Sequence, residues 1–200
     1  MRFAPTTFRP VFGRVLSVIV AIVAAIGILG FVVSGDVVTA LRSSWGLVLM
    51  AAIASALFWF PSVRVAEDKI TVRNVFSTVH VPWSAIQNVD TKYALTLTTP
   101  SGKVTAWASP APNRYAAQVG NTADARLAAS ATGPAVRPGD LLSTASGAPA
   151  YVIRRHWEEL REDGVIEESA DDIAVTRDIH WTTIAVLGAL TIATALGVLL

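Results

Sequence analysis

The sequence of 200 residues contains no cysteine. This absence excludes disulfide bridges, and it excludes metal or redox sites that depend on a thiolate. Charged residues are also scarce, at 16% of the chain, and they nearly cancel to a formal net charge of +1. Nucleic-acid-binding proteins usually carry a marked positive excess, so the sequence predicts no nucleic-acid partner.

The missing charges are concentrated in three runs, at residues 15–35, 43–63 and 181–200. Each run has about 20 residues, the length at which an α-helix can cross a hydrocarbon core roughly 30 Å thick. A hydrophobic content of 52% and a mean hydropathy of +0.51 agree with a membrane protein. None of the predicted spans contains an ionisable residue, so the sequence gives no sign of an ion path or proton relay.

The first uncharged run could be a cleaved signal peptide, because three arginines precede it. However, the apolar stretch is longer than the 7–15 residues of the hydrophobic region of a signal peptide, and no clear Ala-x-Ala cleavage site follows it. We therefore expect an uncleaved anchor. The predicted segments are a basic N-terminal segment at 1–14, transmembrane helices at 15–35, 44–61 and 181–200, a folded domain at 62–165 with a flexible loop at 110–148, and an acidic linker at 166–180.

The distribution of basic residues predicts the orientation of the chain in the membrane. Three arginines precede the first span, and further basic residues follow the second span and precede the third. Because positive residues are retained on the cytoplasmic side, the N-terminus and the folded domain are predicted to be cytoplasmic. The expected localisation is a multi-pass protein of the plasma membrane. Small residues in the first two spans indicate that these helices pack as a hairpin.

The folded domain begins with short segments in which apolar and polar residues alternate, at 63–65, 70–74, 79–81 and 95–98. The turn Pro100-Ser101-Gly102 leads into a returning strand at 103–107. This period of two predicts an antiparallel meander with one buried and one wet face. Residues 110–148 carry few large apolar side chains, which predicts a loop that is mostly flexible. Its weakly apolar parts, Leu127 and residues 136–142, could form a short turn or an edge strand.

A helix is expected after the loop, with Pro149 in its first turn. Its apolar stripe consists of Ile153, Trp157 and Leu160, and Gly164 is a plausible C-terminal stop. On the solvent side we expect ion pairs of Arg154 with Glu158 and of Arg155 with Glu159. Trp157 is predicted to pack on the open end of the sheet.

A strand meander followed by one amphipathic helix is the outline of a pleckstrin-homology (PH) barrel. Residues 79–89, Val-His-Val-Pro-Trp-Ser-Ala-Ile-Gln-Asn-Val, resemble the strand-then-Trp-x-x-Ile signature of bacterial PH domains, and residues 63–65 and 70–74 resemble their opening hairpin. Two spans directly before such a domain resemble the actinobacterial low molecular weight protein antigen 6 PH domain family. The resemblance implies that Trp83 and Ile86 turn the chain and plug the barrel.

The resulting fold prediction is α+β: three transmembrane helices plus a cytoplasmic PH-like antiparallel β-barrel closed by a C-terminal helix. The sequence offers no phosphate-binding loop and no nucleophile elbow. The histidines His80, His156 and His180 show no metal-ligand spacing and no obvious acidic partner. We therefore expect no enzyme activity, no cofactor and no metal site.

Two functions follow from this prediction. One is an interaction module, an accessory or scaffold for other membrane or envelope proteins, which could also self-associate; an open barrel edge can accept a partner strand. The alternative is a sensor of anionic lipid headgroups at the inner leaflet, with Arg64, Lys69 and Arg73 as contacts and with Glu67 and Asp68 opposing them. A less favoured possibility is a transporter subunit regulated by the barrel.

Overall fold

The computed structural model describes residues 4–35, 37–112, 138–166 and 174–199. The chain separates into two compact units, one of Met1–Arg9 with Pro61–Asp178 and one of Pro10–Phe60 with Ile179–Leu200. The second, helical unit contains α1 (Val11–Val33), α2 (Val37–Phe58) and α4 (Trp181–Leu199). All three helices are long and apolar enough to cross a membrane.

The helices α1 and α2 begin several residues before the uncharged runs do, and each therefore includes one arginine. Arg14 lies in the first turn of α1, and its guanidinium carbon is 5.4 Å from the centre of the Trp59 ring. This distance is typical of a cation–π contact. Arg42 lies near the start of α2. The predicted hairpin of α1 and α2 forms, and small residues allow it: a Cβ added at Gly13 would lie 3.2 Å from Phe58 Cβ.

The first unit contains two sheets. The five-stranded sheet has the order β1-β2-β3-β4-β8, and the three-stranded sheet has the order β5-β6-β7. The strands are β1 (Thr6–Phe8), β2 (Ser62–Val65), β3 (Lys69–Arg73), β4 (Ser77–Pro82), β5 (Asn88–Asp90), β6 (Ala94–Thr99), β7 (Gly102–Pro110) and β8 (Thr176–Ile179).

Two of these strands differ from the sequence prediction. β1 lies in the predicted basic N-terminal segment, and β8 lies in the predicted acidic linker. Neither segment alternates apolar and polar residues, since each contains a single large apolar side chain at its end. β1 is ordered by its antiparallel pairing with β2, to which it is linked only through the intervening helices. Such pairing depends on the path of the chain rather than on local sequence.

The core of this unit is formed by the inward side chains of both sheets and of helix α3 (Gly147–Glu162). The predicted helix stripe is confirmed in that Ile153 is fully buried, and Trp157 and Leu160 pack against the core. Burial of an isoleucine contributes about 1.5–3 kcal/mol. Gly164 ends α3 with a φ of 67°, and the backbone N–H of Val165 bonds to the Leu160 carbonyl, as in a helix C-cap that uses a left-handed residue.

The flexible loop predicted over residues 110–148 ends earlier than expected. Residues 138–140 form a 3₁₀ turn, and Ser146 is buried. Helix α3 begins at Gly147, and Pro149 lies in its first turn, as expected. The Ser146 hydroxyl donates to the Gly139 carbonyl at 2.8 Å. A Cβ at Gly139 would collide with the Thr91 carbonyl oxygen. Close backbone packing and hydrogen bonds therefore order this part without large apolar side chains. Residues 113–137 lie outside the described residues.

The α+β architecture with a PH-like domain agrees with the predicted fold class. The strand pairing of the described residues leaves the two sheets as separate ladders. One side chain connects them: Asn74, which follows β3, donates through Nδ2 to the Thr105 carbonyl at 2.8 Å and accepts from the Trp107 backbone N–H at 2.9 Å. Asn74 thereby takes the place of a neighbouring strand along part of β7.

Candidate interaction surface

The basic residues proposed as headgroup contacts share one face of the five-stranded sheet. Their neighbours Val63, Val65, Ile70 and Val72 are fully buried, so the alternating residues point outward. We call this surface the outer face. It comprises Thr7, Arg64, Lys69, Thr71, Arg73 and His80.

The three basic residues are not gathered at one point. Lys69 and Arg73 occupy opposite ends of β3, about 13 Å apart at 3.3 Å per residue. Arg64 pairs in register with Thr71 between them. Lys69 Nζ also lies 3.8 Å from Asp68 Oδ2, with both side chains exposed, and such exposed pairs are weak. The structure brings these cations to one face but forms no compact phosphate pocket from them.

A row of polar side chains crosses the outer face at its centre. His80 Nδ1 lies 3.1 Å from Thr71 Oγ1, and His80 Nε2 lies 3.3 Å from Asp178 Oδ2 on β8. The expectation that His80 has no acidic partner is therefore wrong. Asp178 is 98 residues away in sequence, so no spacing rule could have identified it.

The row presents a hydroxyl, an imidazole and a carboxylate in the order used by nucleophilic enzymes. Acyl transfer would also require N–H donors aimed at an oxyanion. Thr71 lies inside a strand that is paired on both sides, where the ladder engages the backbone N–H groups. The interaction that this geometry supports is a side-chain link between β4 and β8.

His156 also has an acidic neighbour that the sequence analysis did not identify. Its Nδ1 lies 3.5 Å from Glu159 Oε2, one helical turn further along α3. Its ring meets the Trp83 ring edge-on, with the centroids 4.8 Å apart. His156 therefore belongs to the contact between α3 and the core.

The predicted structural residues lie in or against this core. Trp83 and Ile86 are 3% and 4% exposed, and Trp83 Nε1 donates to the Ala66 carbonyl at 3.0 Å. Trp157 is partly buried, with the Arg161 guanidinium carbon 5.1 Å from its ring centre. Helix α3 thus covers the region where the chain turns from β4 into β5.

A second surface feature is a pair of exposed aromatic side chains, Phe76 and Trp107, which we call the aromatic patch. Phe76 is 48% exposed and Trp107 is 54% exposed. Phe76 lies in the turn closed by the hydrogen bond from the Asn74 backbone N–H to the Ser77 carbonyl. Because the Asn74 side chain bonds to the backbone at Thr105 and Trp107, the turn is fixed against β7. Sequence reasoning missed this patch, since the two residues are about 30 positions apart.

Side chains also cover part of the sheet edges. The Val89 carbonyl on β5 accepts from Arg154 Nη2 at 2.9 Å, and Asn74 covers β7. The predicted addition of a partner strand would therefore need another edge. The outer strands of the five-stranded sheet, β1 and β8, provide such edges. Both are short, which limits the number of backbone hydrogen bonds available to a partner.

Arg154 has a different partner from the one expected. It pairs with Asp140 at 2.7 Å instead of with Glu158, and Asp140 Oδ1 also accepts from Thr91 Oγ1 at 2.6 Å. This cluster ties α3 and the 3₁₀ turn to the end of β5. The other predicted pair is confirmed, with Arg155 Nε 3.0 Å from Glu159 Oε1.

The Glu159 carboxylate accepts hydrogen bonds from Arg155 and His156, and these lower its pKa below the ordinary value of 4.5. The same contact raises the pKa of Arg155. The Arg155 and Glu159 side chains are both exposed and lie on the solvated face of α3. Across the described ranges, no three His, Asp or Glu side chains are grouped closely enough to hold a metal ion.

Comparison with known protein families supports the fold assignment. Residues 60–141 match the family model described as bacterial PH domain, which covers 82 of 200 residues. The match confirms the resemblance to bacterial PH domains, and it includes the aromatic patch and the basic residues of β2 and β3. No curated protein and no solved structure matches the chain. The likeness to the actinobacterial family stays a prediction.

Proposed function

We propose that this protein is a non-enzymatic, membrane-anchored interaction module whose PH-like domain docks a protein partner. It would act as an accessory or scaffold for other membrane or envelope proteins. The PH-like segment supports this proposal because PH domains are generally interaction modules without catalysis. The sequence likeness to one actinobacterial family, in which two spans precede such a domain, is consistent with it.

Membrane anchoring is part of the same proposal. The three helices are long and apolar enough to span a bilayer. At most 11% of the most apolar 18-residue stretch of each helix is buried inside the protein. In water, that much exposed apolar surface would be strongly unfavourable. The positive-inside rule supports a cytoplasmic position for the PH-like domain. A barrel closed by α3 is also part of the proposal, since Asn74 already links the two sheets along one side.

The aromatic patch is the observation on which protein docking rests. Tryptophan and other aromatic residues are enriched among the residues that dominate binding energy. A side chain held on a rigid support loses less entropy when a partner binds. The two hydrogen bonds of the Asn74 side chain provide that support for Phe76 and Trp107.

A photo-crosslinking amino acid tests this docking in the full-length protein in its native membrane. We expect position 107 to give a discrete adduct, and Phe76→Ala to reduce its yield several-fold. Tyr93, on the hairpin between β5 and β6 and 79% exposed, is the control position and should give no such adduct. An adduct near twice 21.2 kDa would identify the partner as a second copy. Equal yields from positions 107 and 93 would contradict a specific surface.

Anionic headgroup sensing is the second candidate, and the sharing of one face by Arg64, Arg73 and His80 favours it. A soluble probe without acyl chains, inositol trisphosphate, separates it from docking. Full-length protein in nanodiscs of uncharged phosphatidylcholine would bind the probe saturably, and Arg64→Glu with Arg73→Glu would abolish binding while crosslinking from position 107 persists. Binding that disappears at moderate salt would indicate only nonspecific electrostatics. The binding experiment uses the full chain because a fragment that starts at Pro61 would lack β1, which pairs with β2.

A further inference from the structure

The helical unit contains an apolar groove between the first half of α2 and the end of α4. Its volume is about 510 Å³, within the range of roughly 300–1,000 Å³ typical of ligand pockets. The lining includes Val38, Leu41, Arg42, Trp45, Ala193 and Leu196. No residue of the PH-like domain contributes to this lining, so the groove is a separate feature from the outer face and the aromatic patch.

Close contact between the two helices forms the floor of the groove. A Cβ at Gly197 would lie only 2.7 Å from the Arg42 carbonyl oxygen, and one at Gly46 would lie 3.7 Å from Thr194 Cγ2. Glycine therefore lets the backbones approach at Gly197, whereas a Cβ at Gly46 would make an ordinary van der Waals contact. Ala193 lines the same groove on α4 and fills little space beside this contact.

A single positive charge lies beside this apolar space. Arg42 is the sole charged residue in α2 and α4. Among the residues that the structure describes, no carboxylate is within ion-pair distance of it. A cation that has no carboxylate partner among the described residues, next to an apolar groove, is electrostatically complementary to an amphiphile with an acidic head and an apolar tail.

The position of Arg42 along α2 allows its side chain to reach headgroup depth. It lies five residues after the start of a 22-residue helix, about 7.5 Å along an axis of about 33 Å. If the helix is centred on a hydrocarbon core of roughly 30 Å, the Arg42 backbone lies about 6 Å inside the edge of the core, and its long side chain reaches the headgroups by snorkelling. Trp45, three residues later on the same helix face, is 39% exposed and belongs to the type found at membrane interfaces.

We propose that this groove binds one acyl chain of an anionic phospholipid whose phosphate pairs with Arg42. The proposal rests on the proposed insertion of the helices in a bilayer. A membrane lipid fits better than a protein partner because the groove then opens to the hydrocarbon while its only charge lies at the level of the phosphates. The site would give the protein a preference for anionic lipids that is independent of Lys69, Arg64 and Arg73.

The test uses the full-length protein in vesicles that contain a small fraction of brominated phosphatidylglycerol or, in parallel, brominated phosphatidylcholine. Bromine on the acyl chain quenches the fluorescence of nearby tryptophan residues. The Trp45 signal is the difference in fluorescence between the parent protein and Trp45→Phe. An exposed ion pair contributes at most about 1 kcal/mol, which corresponds to about a fivefold preference. We therefore expect brominated phosphatidylglycerol to quench Trp45 at about one fifth of the mole fraction that brominated phosphatidylcholine requires.

Matched variants separate the charge from the groove. Arg42→Gln should remove the preference, and Arg42→Lys should retain most of it, which also shows that position 42 can be changed without loss of the fold. Ala193→Phe should fill the groove and weaken quenching by phosphatidylglycerol. The control Ile192→Phe changes the adjacent residue, which is 63% exposed and outside the lining, and should have no effect.

Three results would overturn the proposal: equal quenching by both lipids, a preference that survives Arg42→Gln, or unchanged quenching in Ala193→Phe. Protection of Trp45 from both lipids at high protein-to-lipid ratios would assign the groove to a second copy instead. If neither lipid quenches any tryptophan, the helices are not in the bilayer, and the proposed anchoring fails together with the lipid site.

Discussion

The contacts inside the helical unit differ in kind from the contacts inside the PH-like unit. The helical unit packs where side chains are missing, as at Gly13 against Phe58 and Gly197 against the Arg42 backbone. The PH-like unit is joined by long polar side chains that reach across elements, as Asn74 does to β7 and Arg154 does to Asp140 and the Val89 carbonyl.

The difference follows from the surroundings proposed for each unit. Lipid tails are as apolar as leucine, so helices in a bilayer gain little from hydrophobic burial and associate by close backbone contact. In water the sheets gain from burying valine and isoleucine, and polar groups at their edges must then be paired. Arg154 is accordingly paired with Asp140 in the PH-like unit, whereas Arg42 lies beside an apolar groove with no carboxylate partner among the described residues. Each prediction below disturbs one kind of contact and leaves the other intact.

Removal of a core side chain should produce the largest effect. Trp83→Ala empties a site that is 3% exposed and removes the hydrogen bond to the Ala66 carbonyl, and loss of a buried tryptophan costs about 3–5 kcal/mol. Chemical denaturation followed by protease sensitivity of the PH-like unit would measure this loss. Trp107→Ala, at an exposed tryptophan, is the control and should leave stability nearly unchanged. A stable Trp83→Ala domain would show that α3 does not depend on this contact.

Added bulk should disrupt the helical unit. Gly197→Leu places a Cβ within 2.7 Å of the Arg42 carbonyl, and overpacking of this kind costs about 1–3 kcal/mol. Because the chain has no cysteine, a Gly46→Cys and Thr194→Cys pair gives an unambiguous oxidative crosslink between α2 and α4. We expect Gly197→Leu to lower the crosslink yield several-fold. Gly188→Leu, where nothing lies within 4 Å, should not; equal losses would argue against specific contact.

Loss of the Asp140 carboxylate, which Arg154 and Thr91 share, should lower the stability of the domain by an intermediate amount. Asp140→Ala leaves the Arg154 guanidinium and the Thr91 hydroxyl without a shared acceptor. The pair is 23% and 35% exposed, which favours the lower part of the range of about 1–3 kcal/mol for an orphaned group. Thermal unfolding of the domain provides the measurement, and Arg155→Met at a fully exposed pair should show no measurable change. Similar shifts in both variants would mean that the cluster is merely solvated.

The smallest expected effect on stability comes from loss of the Arg155–Glu159 contact on the solvated face of α3. Because Arg155 lowers the pKa of Glu159, the contact stabilises the fold above the ordinary pKa near 4.5 and loses that effect as the pH falls through the lower, folded value. A carboxyl NMR titration should show the Glu159 pKa rising toward 4.5 in Arg155→Met. His156→Gln, which removes the second hydrogen bond, should produce a smaller rise. An unchanged pKa in both variants would contradict this assignment.

Several features followed from the sequence because their causes are local. Uncharged runs of about 20 residues predict apolar helices wherever they occur, and alternation at 63–65 and 70–74 predicts strands without knowledge of their partners. The stripe of Ile153, Trp157 and Leu160 predicts which face of α3 is buried, and the Trp-x-x-Ile segment identifies the resemblance to bacterial PH domains.

The tertiary structure determined which distant groups meet. His80 lies beside Asp178, 98 residues away, and Arg154 reaches Asp140 rather than the nearer Glu158. The Asn74 side chain bonds the turn that contains Phe76 to the strand that contains Trp107. The pairing of β1 with β2 and the groove beside Arg42 likewise depend on the path of the chain. Periodicity records the environment of a single segment, whereas these contacts depend on how segments are paired and in which register, which no local pattern encodes.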